Sequence, residues 1–159
     1  EKLKQLIPAF NNKNYQVIII TGKKYYDSYK NISIPKNVAL LPFLDNLIGL
    51  LKSTDLLVSR AGASTIAEIT AIGLPSILVP SPYVTNNHQY KNAKELEELG
   101  AVELIEEDNF SYASIIPRID AILENKVLYN KMKESSLKLG VRDSATRIYQ
   151  EIKKIVKDD

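Results

Sequence analysis

The sequence predicts an α/β fold: a doubly wound parallel sheet followed by an all-helical C-terminal segment. Three observations carry that expectation. Short runs rich in Val, Ile and Leu alternate with longer amphipathic stretches, which is the sequence form of repeated βα units. Those runs are continuously apolar, as strands covered by helices on both faces must be. From residue 111 onward only helical patterns remain.

Taken in order, residues 2–10 read as a helix and residues 15–21 (YQVIIIT) as the clearest strand, closed by Gly22. Residues 38–41, 55–59, 76–80 and 101–105 are the next strands, and helical patterns lie between them at 44–52, 64–72 and 87–99. Gly73, followed by Leu74 and Pro75, closes one helix, because Gly takes the left-handed conformation there and Pro cannot continue. Gly100 closes another in the same way. Helices over 112–125, 127–139 and 143–157 complete the chain, with Pro117 and Gly140 as interruptions. No internal repeat, linker or low-complexity tract is present, so residues 1–159 are expected to form one domain.

Composition excludes several function classes. At 159 residues with 45% hydrophobic content, the chain buries roughly 70% of its unfolded surface and needs no covalent staple. With Cys at 0 and His88 as the 1 histidine, disulfides, thiolate nucleophiles and Cys-ligated zinc are ruled out. A His-rich metal site and a self-contained Ser-His-Asp triad are argued against. Lys+Arg 21 against Asp+Glu 19 leave a net charge of +2 with no basic block, which argues against nucleic acid. No apolar run approaches the ~20 residues of a membrane span, and no signal peptide opens the chain. A cytoplasmic protein is expected. The opening residue, Glu1 rather than Met, together with a start that reads as mid-helix, makes a fragment or processed chain the expectation.

Ligands of such sheets bind where loops leave the carboxyl ends of strands. After residues 55–59 comes Arg60-Ala61-Gly62-Ala63-Ser64-Thr65, a small-residue turn entering a helix. Its free N–H groups and positive dipole end suit a phosphate. The three-glycine dinucleotide fingerprint and the Walker lysine loop are both absent. Thr65 and Glu68 have the spacing of a capping box, and on spacing alone that role ranks ahead of a ligand role for Glu68. A carboxylate there also suits the two hydroxyls of a ribose. The loop over 81–92 is rich in groups that both donate and accept hydrogen bonds, as sugar hydroxyls require. Thr85 or Asn86 can also cap the following helix, and a solvated surface suits His88 better than metal ligation. In the loop over 42–47, an aromatic at position 43 is more often core than a stacking platform.

The string LLVSRAGASTIAEITAIGLPSILVPSPYVTNNHQYKNAKELEELGAVELIEE resembles the donor-binding half of the MurG-type N-acetylglucosaminyltransferases of glycosyltransferase family 28. The resemblance covers nearly the whole chain and is densest over residues 40–107. It rests on the Ser-Arg-Ala-Gly turn, Thr65 with Glu68, Gly73-Leu74-Pro75, and His88-Gln89 with Asn92-Ala93, in order and spacing. It implies the Rossmann-like C-terminal half of a GT-B architecture. Glu68 matches the acid that binds the ribose of UDP, which raises its ligand role above the cap. Leu44 matches the residue whose backbone recognises uracil, with Phe43 and Leu47 as the wall beside the base. Gly62, Ala63, Ser64 and Thr65 match the turn beside the diphosphate and donor sugar. Gln89 matches an amide that holds N-acetylglucosamine hydroxyls, and His88 falls where some relatives carry a second glutamine.

The family's Gly-Gly-x-x-Gly motifs and the Gly-Gly-Ser loop that opens the donor domain are absent from these residues. The resemblance therefore implies a donor domain entered inside its first helix, with the acceptor domain and the general base outside this chain. No Asp-x-Asp motif appears, in keeping with metal-independent chemistry without a cofactor. The implied activity is inverting transfer of N-acetylglucosamine from UDP-GlcNAc to undecaprenyl-linked lipid I, giving lipid II. The implied enzyme is cytoplasmic and peripheral at the inner face of the membrane, which it meets only as a full-length protein. The fragment alone is expected to be inactive. A split-transferase donor subunit and a non-catalytic nucleotide-sugar-binding module are the alternatives, with a UDP-sugar epimerase behind them. GT-B enzymes commonly cross a final helix back to the other domain, which would leave Ile148, Ile152 and Ile155 partly unburied; a last helix packed on its own sheet is the equal alternative.

Overall fold

A computed structural model describes residues 2–157; Glu1, Asp158 and Asp159, the ends of the expected 1–159 domain, lie outside the described residues. Helix α1 (Lys2–Leu6) tightens into a 3₁₀ turn at Ile7–Phe10. Pro8 lacks the N–H that an α-helix continuing to residue 10 would use. Strand β1 (Val17–Ile20) pairs in parallel with β2 (Val38–Leu41), Val17 opposite Val38 and Ile20 opposite Leu41. Between them lies α2 (Lys23–Tyr26), continued by a 3₁₀ turn at Asp27–Tyr29. No sequence pattern marks this helix, because Tyr29 is the one buried side chain of the two segments and no apolar stripe forms.

The remaining strands, β3 (Leu57–Ser59), β4 (Ser76–Leu78) and β5 (Val102–Leu104), form a second parallel sheet in that order, with Leu57, Ser76 and Val102 in register. Helices α3 (Leu47–Leu51), α4 (Ala63–Ile72) and α5 (His88–Glu98) connect the units. The C-terminal segment is α6 (Tyr112–Glu124), α7 (Lys126–Leu139) and α8 (Ser144–Lys157). Helix α6 runs through Pro117, which the sequence pattern marks as an interruption. Its buried Ile115, Ile119 and Ile122 hold the helix against the core despite the missing ladder bond.

Two apolar clusters explain the layering. Leu6, Ile7, Phe10, Ile19, Val38, Ile77, Ile115, Ile122 and Met132 join α1, α6 and α7 to one face of the strands. Leu51, Ile69, Leu78, Ala93, Leu96 and Val102 join α3, α4 and α5 to the other. Consecutive residues Ile77 and Leu78 point to opposite faces and belong to different clusters. Strand β4 is therefore covered on both sides, as a doubly wound sheet requires. Full burial of each such side chain contributes about 1.5–3 kcal/mol.

Strand β1 departs from that pattern. Ile18 and Ile20 are exposed, at 45% and 39%, as is Val58 of β3. Val17 and Thr21 donate their backbone N–H to Asn37 and Leu41, so the ladder's alternation turns the backbone groups of Ile18 and Ile20 away from β2. Likewise Leu57 donates to Pro75 and Ser59 accepts from Val79, which turns Val58 away from β4. Among the described residues no strand pairs with either of these edges, and the sheet is in two pieces.

Helix α7 is fastened to α4. Gly73 ends α4 in the left-handed conformation at φ 68°, and a Cβ there would run into Leu137 of α7. Buried Ser136 donates to the Ile69 carbonyl at 3.3 Å, and Arg142 Nε donates to the Ala71 carbonyl at 2.9 Å. Beyond that point none of the described side chains of α8 is buried: Ile148, Tyr149, Ile152, Ile155 and Val156 form an exposed apolar stripe. No helix among the described residues is long and apolar enough to cross a membrane.

Candidate functional site

Parallel register brings the carboxyl ends of β3, β4 and β5 to one edge. The loop after β3 enters α4 through Gly62, which caps the helix with φ −70° and ψ 147° and without a side-chain hydrogen bond. The N–H groups of Ala63, Ser64 and Thr65 are thus left at the positive end of a ten-residue helix, an arrangement that suits an anion. A Cβ at Gly62 would meet nothing closer than Thr65 Oγ1 at 4.0 Å. Internal packing does not demand a small residue here.

Structure removes the capping box expected from Thr65 and Glu68. Because α4 begins at Ala63, Thr65 is already inside the first turn and Glu68 lies in the second, beyond reach of the first N–H groups. Glu68 is half-buried and makes no hydrogen bond or ion pair among the described residues. It lies on the same helix face as Thr65, three residues on.

After β4, Gln89 Oε1 accepts a hydrogen bond from the backbone N–H of Ser81 at 3.0 Å. His88 is exposed, and its Nδ1 lies 2.7 Å from the Thr85 carbonyl. Neither Thr85 nor Asn86 caps α5, contrary to the sequence expectation: the cap is Asn87, without a side-chain bond. Asn86 and Asn87 both sit in left-handed backbone, at φ 55° and 52°, a conformation that asparagine tolerates. Their side chains therefore do not take the extended cap geometry.

The loop after β2 belongs to the other sheet piece. Phe43 is 55% exposed there, overturning the core placement that residue statistics favour. Lys23 Nζ stands over its ring at 5.0 Å from the centroid. Leu44 is half-buried and Leu47 exposed. Helix α3 starts only at Leu47 because Asn46 caps it, accepting from Gly49 N–H at 2.8 Å.

The loops after β3 and β4 thus share one edge, with Gly62, Ala63, Ser64, Thr65 and Glu68 on one and His88 and Gln89 on the other. Phe43, Leu44 and Leu47 leave from the edge of the β1–β2 piece. A groove of about 350 Å³ on α4 and α5 takes Ala63 from the expected set, and is otherwise lined by Ile66, Thr70, Glu95 and Val141 among others. Two residues escaped the sequence reading. Lys23 was signalled only by a basic pair following a strand. Arg60, inside the small-residue turn, pairs with Glu107, and this guanidinium holds the Glu107 carboxyl below the usual range.

Comparison with known proteins agrees with this geometry. The model of the glycosyltransferase family 28 C-terminal domain matches residues 1–148. A Bacillus cytotoxicus protein named as a UDP-N-acetylglucosamine--N-acetylmuramyl-(pentapeptide) pyrophosphoryl-undecaprenol N-acetylglucosamine transferase is 43% identical over 157 residues, covering 96% of this chain. A Leuconostoc citreum protein of the same name is 45% identical over 150 residues, covering 91% of this chain. The chain spans 43% and 41% of those relatives' lengths. Among solved structures, Acinetobacter baumannii MurG superposes with a TM-score of 0.79 at 23% identity, over 97% of this chain and 45% of that one. The glycosyltransferase VinC in complex with DTDP gives 0.77 at 17% identity, over 100% of this chain and 38% of its own. These two structures share the fold. The family model's match over nearly the whole chain places this protein in the glycosyltransferase family 28 C-terminal domain family.

Proposed function

We propose that this chain is the donor-binding part of an inverting N-acetylglucosaminyltransferase that takes UDP-GlcNAc. The carrying observation is the uncapped first turn of α4 with the partnerless Glu68 on the same helix. The diphosphate lies against the N–H groups at Gly62, Ala63, Ser64 and Thr65, and the Glu68 carboxylate accepts from both ribose hydroxyls. Uracil is recognised by the Leu44 backbone beside Phe43 and Leu47. His88 and Gln89 face the N-acetylglucosamine. The names of the two bacterial relatives support lipid I as the acceptor of the complete enzyme and lipid II as its product.

In that reaction the acceptor hydroxyl attacks C1 of the donor sugar, the C1–O bond to UDP breaks, and the hydroxyl proton passes to a base on the other domain. Inversion follows from the single displacement. The residues of this chain bind the donor, and the α4 dipole stabilises the charge growing on UDP without a metal or cofactor. The open edges of β1 and β3 favour a donor domain whose sheet is completed by chain outside these residues. The complete enzyme works as a peripheral protein at the cytoplasmic membrane face. A split-transferase donor subunit, with the acceptor domain on a separate chain, uses the same site.

Transfer of labelled N-acetylglucosamine to lipid I tests this reading. The 159-residue chain is expected to be inactive alone and active when joined to an acceptor domain of the family. Turnover by the chain alone contradicts the division of labour, and donor binding without turnover in the joined protein favours a non-catalytic binding module.

A further inference from the structure

One side chain ties three strand ends together at the candidate site. Arg60, the residue after β3, places Nη1 at 3.2 Å from the Val79 carbonyl and 3.3 Å from the Pro80 carbonyl, both following β4. The same nitrogen pairs with the Glu107 carboxylate, in the 3₁₀ turn after β5. Two N–H hydrogens serve three acceptors, so at least one is shared. The backbone carbonyl of Glu107 accepts in turn from Lys2 Nζ of α1.

The position of this staple matters more than its strength, because the guanidinium is half exposed and such pairs contribute little to stability. Arg60 lies two residues before Gly62. Val79 and Pro80 lie immediately before Ser81, whose N–H is held by Gln89. One set of bonds therefore fixes where both loops leave the sheet. We propose that Arg60 is a positioning residue for sugar recognition: by holding the Val79 and Pro80 carbonyls it sets where the loop over residues 81–89 presents the Gln89 amide to the donor sugar. This rests on the reading of Gln89 as a sugar contact. Arg60 acts through that loop and does not touch the ligand.

Calorimetric affinities of the wild type, Arg60→Met and Arg60→Lys for UDP-GlcNAc and for UDP, with melting temperatures in parallel, test the proposal. Arg60→Met is expected to weaken UDP-GlcNAc by about 10-fold while changing UDP less than about 2-fold, the scale of one lost hydrogen bond to the sugar. Arg60→Lys, whose ammonium can still reach the carbonyls, is expected to recover most of the loss. Equal losses for both ligands overturn the proposal in favour of a direct diphosphate contact, and unchanged affinity for both overturns it outright. If Arg60→Met does not fold, Glu107→Gln carries the test, with a smaller shift of the ratio in the same direction expected and no shift counting against the proposal. A wild type that binds UDP-GlcNAc no better than UDP instead defeats the sugar reading itself, whatever the variants do.

Discussion

Gln89 accepts the backbone N–H of Ser81 at 3.0 Å and so closes the loop after β4 upon itself. With one lone pair of its oxygen engaged, the side chain keeps both NH₂ hydrogens to donate towards a ligand. Gln89→Glu keeps the acceptor for Ser81 and deletes that donor. Loop order, read from amide exchange at Ser81, is expected to persist while affinity for UDP-GlcNAc falls about 10-fold, the scale of one hydrogen bond. Retained affinity would show that the NH₂ group is not used.

Glu68 offers a separation of binding from stability. Since it caps nothing and Ala is a good helix former, Glu68→Ala is expected to shift stability by about 0.5 kcal/mol or less. Affinity for UDP is expected to drop about 10- to 100-fold, because a charged acceptor of two hydroxyls is lost. Thermal melting and calorimetry on the same sample check both, and a large fall in Tm with unchanged affinity would contradict the assignment.

Gly73→Ala probes the fastening of α7. The left-handed backbone costs a side chain about 1–2 kcal/mol, and the new methyl group also meets Leu137. Tm is expected to fall by about 2–4 °C for each kcal/mol lost. An unchanged Tm would mean that α7 can move away without penalty.

The two open sheet edges are testable by hydrogen exchange. Amides of Ile18, Ile20 and Val58 are expected to exchange much faster than those of Ile77 and Leu78 in the covered strand β4. Equal protection would mean that β1 and β3 pair in solution.

The sequence carried most of the fold because burial and periodicity agree where both faces of a strand are covered. Residues 38–41 emerge unchanged as β2, and the apolar run 76–80 holds β4, whose every side chain is buried. The other strands are shorter than their apolar runs, β3 losing residues 55 and 56 at its start and β5 one residue at each end. The same logic failed at Ile18 and Ile20: an apolar residue records that a face is meant to be covered, not that the covering is within reach. At the site, the small-residue turn and Glu68 were legible as a spacing, but the spacing also fitted a capping box. Only the helix start at Ala63 separates the two readings. Arg60 was invisible in its role, because its partners Val79, Pro80 and Glu107 are 19, 20 and 47 residues away.

Titration of the purified chain with UDP-GlcNAc, UDP-GalNAc and UDP by calorimetry tests whether these residues form a donor site. Saturable binding is expected, with the GlcNAc donor preferred over both others and the selectivity residing in the loop over residues 81–92. Absence of binding by all three would contradict a donor site built from these residues.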